Sequence, residues 1–464
     1  MQTGTRRHFL ERMGQISVGY ALGSRVRALG SPAPEGPISS DDAPFWTDTA
    51  ASPSDIQPLT HAPDMFPIMP WDPLHGWKPP YSNPKHGLES IAECNFTVAG
   101  FVQPGDLPLC ERLGLAAIMA PAPSEKPWFG EWMKLSDADI DRTVRQMVEA
   151  AADSPAILGY FIMDEPGSPA FPALSKAVRA VKKYAPGKLA YITLFPSYAT
   201  VGAPDKSQLG TATYTEYLER FVTEVKPQII SYDNYMVQYS DDLQDRQKAA
   251  IYYADLLEVR RVAQKYHLPF WNIVSSNQIR RQTTIPSPAN LAFQAYTTLA
   301  AGGRGVSWFR YYQGGYAYAP IDNAGEKTLS WRYLQAVNRQ LRILGPIMNR
   351  LTSTGAFFSS PPPVSDLPLL PGRILNHVKS KASPRNFSQD EPPVMAGEFE
   401  DGQGQDYIMI VNLSLERSVN IKMHTRKTYR TKLLISAEDS RFLTLDEKGG
   451  HWLPAGHGVL IKLT

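Results

Sequence analysis

Short apolar and β-branched runs recur along the chain, with helical patterns between them. The runs fall at 64–70 (DMFPIMP), 95–101 (NFTVAGF), 115–120 (LAAIMA), 157–163 (ILGYFIM), 188–195 (KLAYITLF), 228–235 (QIISYDNY), 269–275 (PFWNIVS) and 304–311 (RGVSWFRY), eight in all. Each has the length and composition of a buried strand. The intervening segments carry helix ends. Ser136 precedes Asp137 and Asp139, and Ile140, Val144, Met147 and Ala151 then share one face. Leu174, Ala177, Val178, Val181 and Ala185 repeat the pattern before Pro186-Gly187. Thr213-x-x-Glu216 opens a helix that runs to Val225, ahead of Pro227. Ser287-Pro288 is an N-cap followed by Pro at the first turn, and Gly302-Gly303 closes that helix. A last helix is predicted from Trp331 to Leu344, stopped by Gly345-Pro346.

Strand–helix alternation implies parallel pairing, because parallel neighbours need a crossover and a helix supplies it. Eight such units between residues 61 and 350 match the size of a (β/α)8 barrel. An open doubly wound sheet is the alternative, but its Gly-rich first turn is missing. After residue 350 the helical period ends. Residues 351–385 read as a Pro-rich connector on the stretch SSPPPVSDLPLLPG (359–372). Residues 386–464 alternate at short spacing in DYIMIVNLS, RSVNIKMHT, TYRTKLLIS and HGVLIKLT, which predicts a small all-β sandwich.

At the other end, Thr5-Arg6-Arg7-His8-Phe9-Leu10 resembles a twin-arginine export signal, assigned to residues 1–33, with a linker over 34–60. The expected location is periplasmic or secreted. No later stretch reaches 18 consecutive apolar residues, so no membrane span is expected.

Composition narrows the ligand. Lys plus Arg number 47 and Asp plus Glu 45, so no global field draws in nucleic acid. The 22 Tyr, 18 Phe and 9 Trp suit an uncharged ligand held by stacking. Two cysteines, Cys94 and Cys110, and nine scattered His give no zinc spacing. Phosphate-binding glycine loops and the G-x-S-x-G elbow are absent. No cofactor is expected.

Chemistry in such a barrel sits at the C-terminal strand ends. The fourth run ends in Asp164-Glu165-Pro166 and the sixth in Ser231-Tyr232-Asp233-Asn234-Tyr235. The seventh offers Trp271, Asn272 and Asn277, the eighth Trp308, Arg310 and Tyr311, and the first leads into Trp71-Asp72 with His75 and Trp77 beyond. Two carboxylates across an aromatic cleft are what glycoside hydrolysis needs: one protonates the leaving oxygen, the other acts as nucleophile or as base for water.

The stretch MDEP resembles the large clan of (β/α)8 glycoside hydrolases that includes the β-galactosidase-like families, in which the fourth strand ends in Asn-Glu. The resemblance implies that Glu165 is the general acid/base, with Asp164 where the Asn would stand, and that the substrate is a carbohydrate. The clan places its nucleophile, a Glu, at the end of the seventh strand. Here no Asp or Glu occurs from Val259 to Ile321. Asp233 is the substitute expected from the residues, since Ser231, Asp233 and Tyr235 share one strand face. Asp322 and Glu326, in the loop after the eighth strand, and Asp72 are weaker candidates. The expected substrate-binding set is Asp164, Tyr235, Trp271, Asn272, Asn277, Trp308, Arg310, Tyr311 and Trp71. Two alternatives stand beside the hydrolase: a sugar-binding barrel without catalysis, and a lyase using Tyr235 or Tyr311 as proton donor.

Overall fold

The computed structural model describes residues 65–71, 79–120, 131–200, 208–239, 246–360, 366–382 and 391–464. The proposed signal and linker, and Asp72, His75 and Trp77, lie outside them.

All eight predicted strands form. They are β1 (Ile68–Pro70), β2 (Val98–Val102), β3 (Ala116–Met119), β4 (Ile157–Asp164), β5 (Leu189–Leu194), β6 (Ile230–Asp233), β7 (Phe270–Ser275) and β8 (Val306–Phe309). They pair in parallel in the order β1-β8-β7-β6-β5-β4-β3-β2. Thr97 brings the two ends of that sheet together: its N–H donates to the Ile68 carbonyl at 3.1 Å, and its Oγ1 accepts from Ile68 N at 2.8 Å.

A helix follows each strand: α1 (Leu88–Glu93), α2 (Leu107–Leu113), α3 (Asp137–Ala150), α4 (Phe171–Tyr184), α5 (Tyr214–Arg220), α6 (Arg246–Lys265), α7 (Pro288–Ala300) and α8 (Leu329–Met348). The predicted caps are in place. Ser136 Oγ accepts from Asp139 N, Thr213 Oγ1 from Glu216 N and Ser287 Oγ from Asn290 N, at 3.1–3.2 Å; each such cap contributes roughly 1 kcal/mol. The last helix does not stop at Leu344. It runs through Gly345-Pro346 to Met348, because Gly345 is a packing site for Phe66, whose ring a Cβ there would meet at 2.3 Å. Tertiary packing outweighs the single backbone hydrogen bond that Pro346 removes.

The barrel interior is aromatic. Phe101 packs on Phe161 with ring centroids 4.4 Å apart, and Tyr191 on Trp271 at 5.7 Å.

Beyond the barrel the segment read as a connector contributes two strands, β9 (Leu351–Phe358) and β10 (Leu375–Ala382). Their polar alternation, LTSTGAFF and LNHVKSKA, hides them beside the Pro-rich stretch between them. The rest are β11 (Val394–Asp401), β12 (Asp406–Asn412), β13 (Val419–Thr425), β14 (Lys432–Ile435), β15 (Phe442–Thr444), β16 (His451–Leu453) and β17 (Gly458–Leu463). They form a six-stranded sheet, β15-β14-β17-β12-β11-β9, and a three-stranded one, β10-β13-β16. Val378, Ile421 and Leu453 of the small sheet pack on Ile408, Ile410 and Ile461 of the large one. The large sheet's other face meets α7, so the C-terminal region is a sandwich laid on the barrel's helical wall. Cys94 and Cys110 are both free thiols and buried.

Candidate active site

The site is built from the strand ends inward. On β5 Tyr191 and Thr193 point to the barrel axis: Tyr191 OH shares a hydrogen bond with Ser231 Oγ at 3.0 Å, and Thr193 Oγ1 accepts from Trp71 Nε1 at 3.2 Å. Asp164 is level with Thr193 because the β4–β5 register slips between Phe161 and Met163. That slip gives Asp164 the facing that strict alternation from Phe161 would deny it. Its charge reaches the Tyr191 hydroxyl, whose pKa burial first, then Asp164, push up to about 12.

Glu165 leaves the strand with a left-handed backbone (φ 46°), its N–H donating to the Thr193 carbonyl at 2.8 Å. A non-glycine residue in that region is strained, and such strain gathers at functional positions. The side chain is 6% exposed. The next carbonyl, of Pro166, accepts from Tyr217 OH on α5 at 2.7 Å.

Asp233 closes β6 and is 1% exposed. Ser231 faces the axis, so Asp233, two residues on, does too. Two tyrosines report how the acids converge. Burial raises the Tyr217 hydroxyl well above its usual pKa, and the charges of Glu165, Asp233 and Asp164 all add to that. Burial likewise raises Tyr198, just after β5, with Asp233, Asp255 and Glu165 adding. The three acids at the ends of β4 and β6 therefore act on one small region of the mouth.

Its floor is aromatic. Trp71, 2% exposed, packs edge-on against Phe101 at 5.0 Å and lies 6.2 Å from Phe309. Phe309 in turn meets Tyr235 at 5.1 Å and Tyr316 at 5.4 Å. Tyr235 N donates to Tyr198 OH at 3.3 Å, tying the β5 and β6 ends together. The Phe309–Arg310 peptide is cis. Half-buried Arg310 holds its guanidinium carbon 5.7 Å from the centre of the Tyr316 ring. Arg310 N donates to Asn277 Oδ1 at 3.2 Å, and its carbonyl accepts from Ser276 Oγ at 3.1 Å.

At the end of β7, Gln238 Nε2 donates to Ser275 Oγ and to the Asn277 carbonyl, while its Oε1 accepts from Ile279 N at 3.1 Å. The seventh strand thus ends in a neutral amide and hydroxyl network. Asn277 Nδ2, fully buried, finds no acceptor among the described residues.

The structure brings Glu165, Asp164, Asp233, Tyr235, Asn277, Arg310 and Trp71 to the mouth. The other four expected residues lie elsewhere. Trp271 is in the barrel interior, level with Ser231 and packed at a tilt against Tyr191, beneath the mouth. Asn272 points outward and donates to Thr298 Oγ1 of α7 at 2.8 Å. Trp308 also points outward, donating to Asn338 Oδ1 of α8 at 2.8 Å. Tyr311 is locked between α1 and α8, with Ser90 Oγ at 2.7 Å and Trp331 Nε1 at 2.8 Å. Asp322 caps its own loop, accepting from Ala324 N and Glu326 N at 2.9 Å each. Residues that strand-end reasoning passed over are Phe309, Tyr316, Tyr198, Thr193 and Gln238. Phe309 escaped it because Trp308, its neighbour on the strand, was expected to face the cleft, and alternation then turns Phe309 away. Among the described residues no group of three or more His, Cys, Asp or Glu could hold a metal ion, and no helix is long and apolar enough to cross a membrane.

No family model matches the chain, and no curated protein matches it. Solved structures similar to it include glycoside hydrolases. A family 5 glycoside hydrolase from Bacteroides vulgatus is 12% identical with a TM-score of 0.49, over 86% of this chain and 89% of that one. A glucosidase from Croceicoccus marinus is 12% identical with a TM-score of 0.39, over 81% and 91%. A β-galactosidase from the psychrophilic Marinomonas ef1 is 9% identical with a TM-score of 0.44 over 61% of this chain, which spans 60% of that enzyme's length. The likeness is one of fold.

Proposed function

We propose that the chain is a glycoside hydrolase that cleaves a glycosidic bond in an oligo- or polysaccharide. The observation that carries the reading is the pair of carboxylic acids, Glu165 and Asp233, both more than nine-tenths buried at the ends of β4 and β6, on either side of β5, and both acting on Tyr198 and Tyr217. Glu165 protonates the leaving oxygen, and Asp233 serves as nucleophile or as base for a water. Asp164 and Arg310 bind ring hydroxyls beside them. The aromatic floor of Trp71, Phe309 and Tyr235 faces the sugar ring. The twin-arginine-like N-terminus supports export of the enzyme to the periplasm or beyond.

Replacing Glu165→Gln keeps the shape and removes the proton. It is expected to lower kcat on an activated aryl glycoside or glycan panel by about 10²–10⁴-fold with little change in KM. Asp233→Asn should cost at least as much. The anomer of the first product, read by NMR, then separates the two roles of Asp233: retention assigns the nucleophile, inversion the base.

One feature favours a second reading. The end of β7 carries Ser275, Ser276, Asn277 and Gln278 and no carboxylate, as in a barrel that binds sugar without cleaving it. If the wild type hydrolyses no glycan in the panel yet binds one as tightly as Glu165→Gln does, this second reading replaces the first.

A further inference from the structure

The three-stranded sheet presents its second face to solvent, away from the sandwich core. Inward positions Val378, Ile421, Met423 and Leu453 fill that core. The outward positions are His377, Lys379 and Lys381 on β10, Asn420, Lys422 and His424 on β13, and Trp452 on β16. The pairing places His377 opposite His424, Lys379 opposite Lys422, and Lys381, Asn420 and Trp452 in one row across all three strands. The two imidazole rings stack with centroids 4.1 Å apart. Trp452 is 53% exposed although it is the largest side chain on the face.

Two features of this face lack a folding rationale. Like charges directly opposite on adjacent strands destabilise a sheet, yet Lys379 faces Lys422, and β10, β13 and β16 contain no Asp or Glu to offset them. An indole left in water on an edge strand also forfeits burial and invites association. Lys422 Nζ donates to the Lys448 carbonyl, which carries no charge to offset it, and the acids of that adjoining turn are engaged elsewhere: Glu447 pairs with Lys432 at 2.6 Å, and Asp446 Oδ1 accepts from Lys448 N and Gly449 N. The positive field is felt locally. Burial, then the neighbouring His424 and Lys379, hold the His377 imidazole below its ordinary pKa. A ligand with spaced negative charges and flat apolar faces answers both features at once.

We propose that this face is a binding site for an anionic polysaccharide, its carboxylates paired with Lys379, Lys381 and Lys422 and one sugar ring stacked on Trp452. That the polyanion is a carbohydrate rests on the function proposed for the barrel; the sign of its charge rests on this face alone. A near-balanced chain, with a single exposed indole on this face, does not present the run of stacking platforms with which single-stranded nucleic acids are held.

The test uses the full chain carrying Glu165→Gln, so that nothing is degraded, and measures calorimetric binding to polygalacturonate and to its methyl-esterified form. The same backbone with its charge removed should bind about tenfold more weakly or worse, and added salt should erase the difference. Lys379→Glu with Lys422→Glu, and separately Trp452→Ala, should each weaken polygalacturonate binding about tenfold, while hydrolysis of a small glycoside by the matching variants of the active chain stays unchanged. Lys379→Gln with Lys422→Gln relieves the same repulsion without adding acids and guards against misfolding. Equal binding of the two polymers, variants that bind like the parent, or tighter binding of single-stranded DNA than of polygalacturonate would each overturn the proposal. None of these outcomes bears on whether Glu165 is the barrel's general acid, which the glycan panel decides on its own.

Discussion

Asp255 stands on α6 behind the cleft, 2% exposed, and its Oδ2 accepts from Asn234 Nδ2 at 2.8 Å and from Ser197 N at 3.1 Å. It joins the β5 and β6 ends from the rear, beside the residue that follows Asp233. Burial raises its pKa from 3.8 to about 7, the Ser197 and Asn234 hydrogen bonds oppose this, and Asp233 adds to it. The folded chain therefore holds a proton that the unfolded chain has already released above pH 3.8. Stability falls as pH rises through that interval and levels off above about 7. Asp255→Asn fixes the neutral form and keeps one oxygen to accept both bonds. Its Tm, followed from about pH 4 to 8, should lack the part of the decline that the wild type shows between those pKa values. Matching profiles would mean that Asp255 stays charged in the fold. Nothing in the sequence around Asp255 marks it, because its partners come from loops 58 and 21 residues away.

Strand β8 shows what an element adds to a list of residues. Adjacent Trp308 and Phe309 point to opposite sides, one to Asn338 on α8, the other into the mouth against Trp71 and Tyr235. Trp308→Phe removes the indole donor and strands a buried Asn338 Oδ1, which should cost about 1–3 kcal/mol in denaturant unfolding while kcat is unchanged. A large loss of kcat with little loss of stability would place Trp308 in the cleft instead. The sequence made the strands legible because a parallel strand buried on both faces is apolar throughout. For the same reason it left the facing unreadable, since Trp271, Asn272, Trp308 and Tyr311 lie in runs with no solvent side to mark the phase. The acids at the ends of β4 and β6 were visible because a charge that ends an apolar run is exceptional. The two strands at 351–358 and 375–382 were missed for the opposite reason. Their polar alternation resembles loop when Pro-rich sequence separates them.

At the scale of the molecule the barrel and the sandwich meet along α7, every residue of which from Asn290 to Ala300 is buried. The helix serves both units: its inner side supports β7 through Thr298 and Asn272, and its outer side lies on the large sheet. The contact depends on glycine. A Cβ on Gly397 of β11 would fall 2.2 Å from the Ala300 carbonyl oxygen, and one on Gly456, in the turn before β17, 2.0 Å from that of Ala289. Both obstacles are backbone, so neither can swing aside as a side chain would. Gly397→Ala must then push the sheet off the end of the helix, at a cost of about 1–3 kcal/mol as for overpacked cores. Because α7 also forms the barrel wall, that cost should appear as one cooperative transition moved to lower temperature in calorimetry, reported alike by sandwich and barrel probes. A sandwich that melts early while the barrel keeps its own Tm would show two independent units. In that case a polyanion bound to the far sheet could not stabilise the barrel by mass action, whereas a single transition would let occupancy of that face raise the Tm of the whole chain.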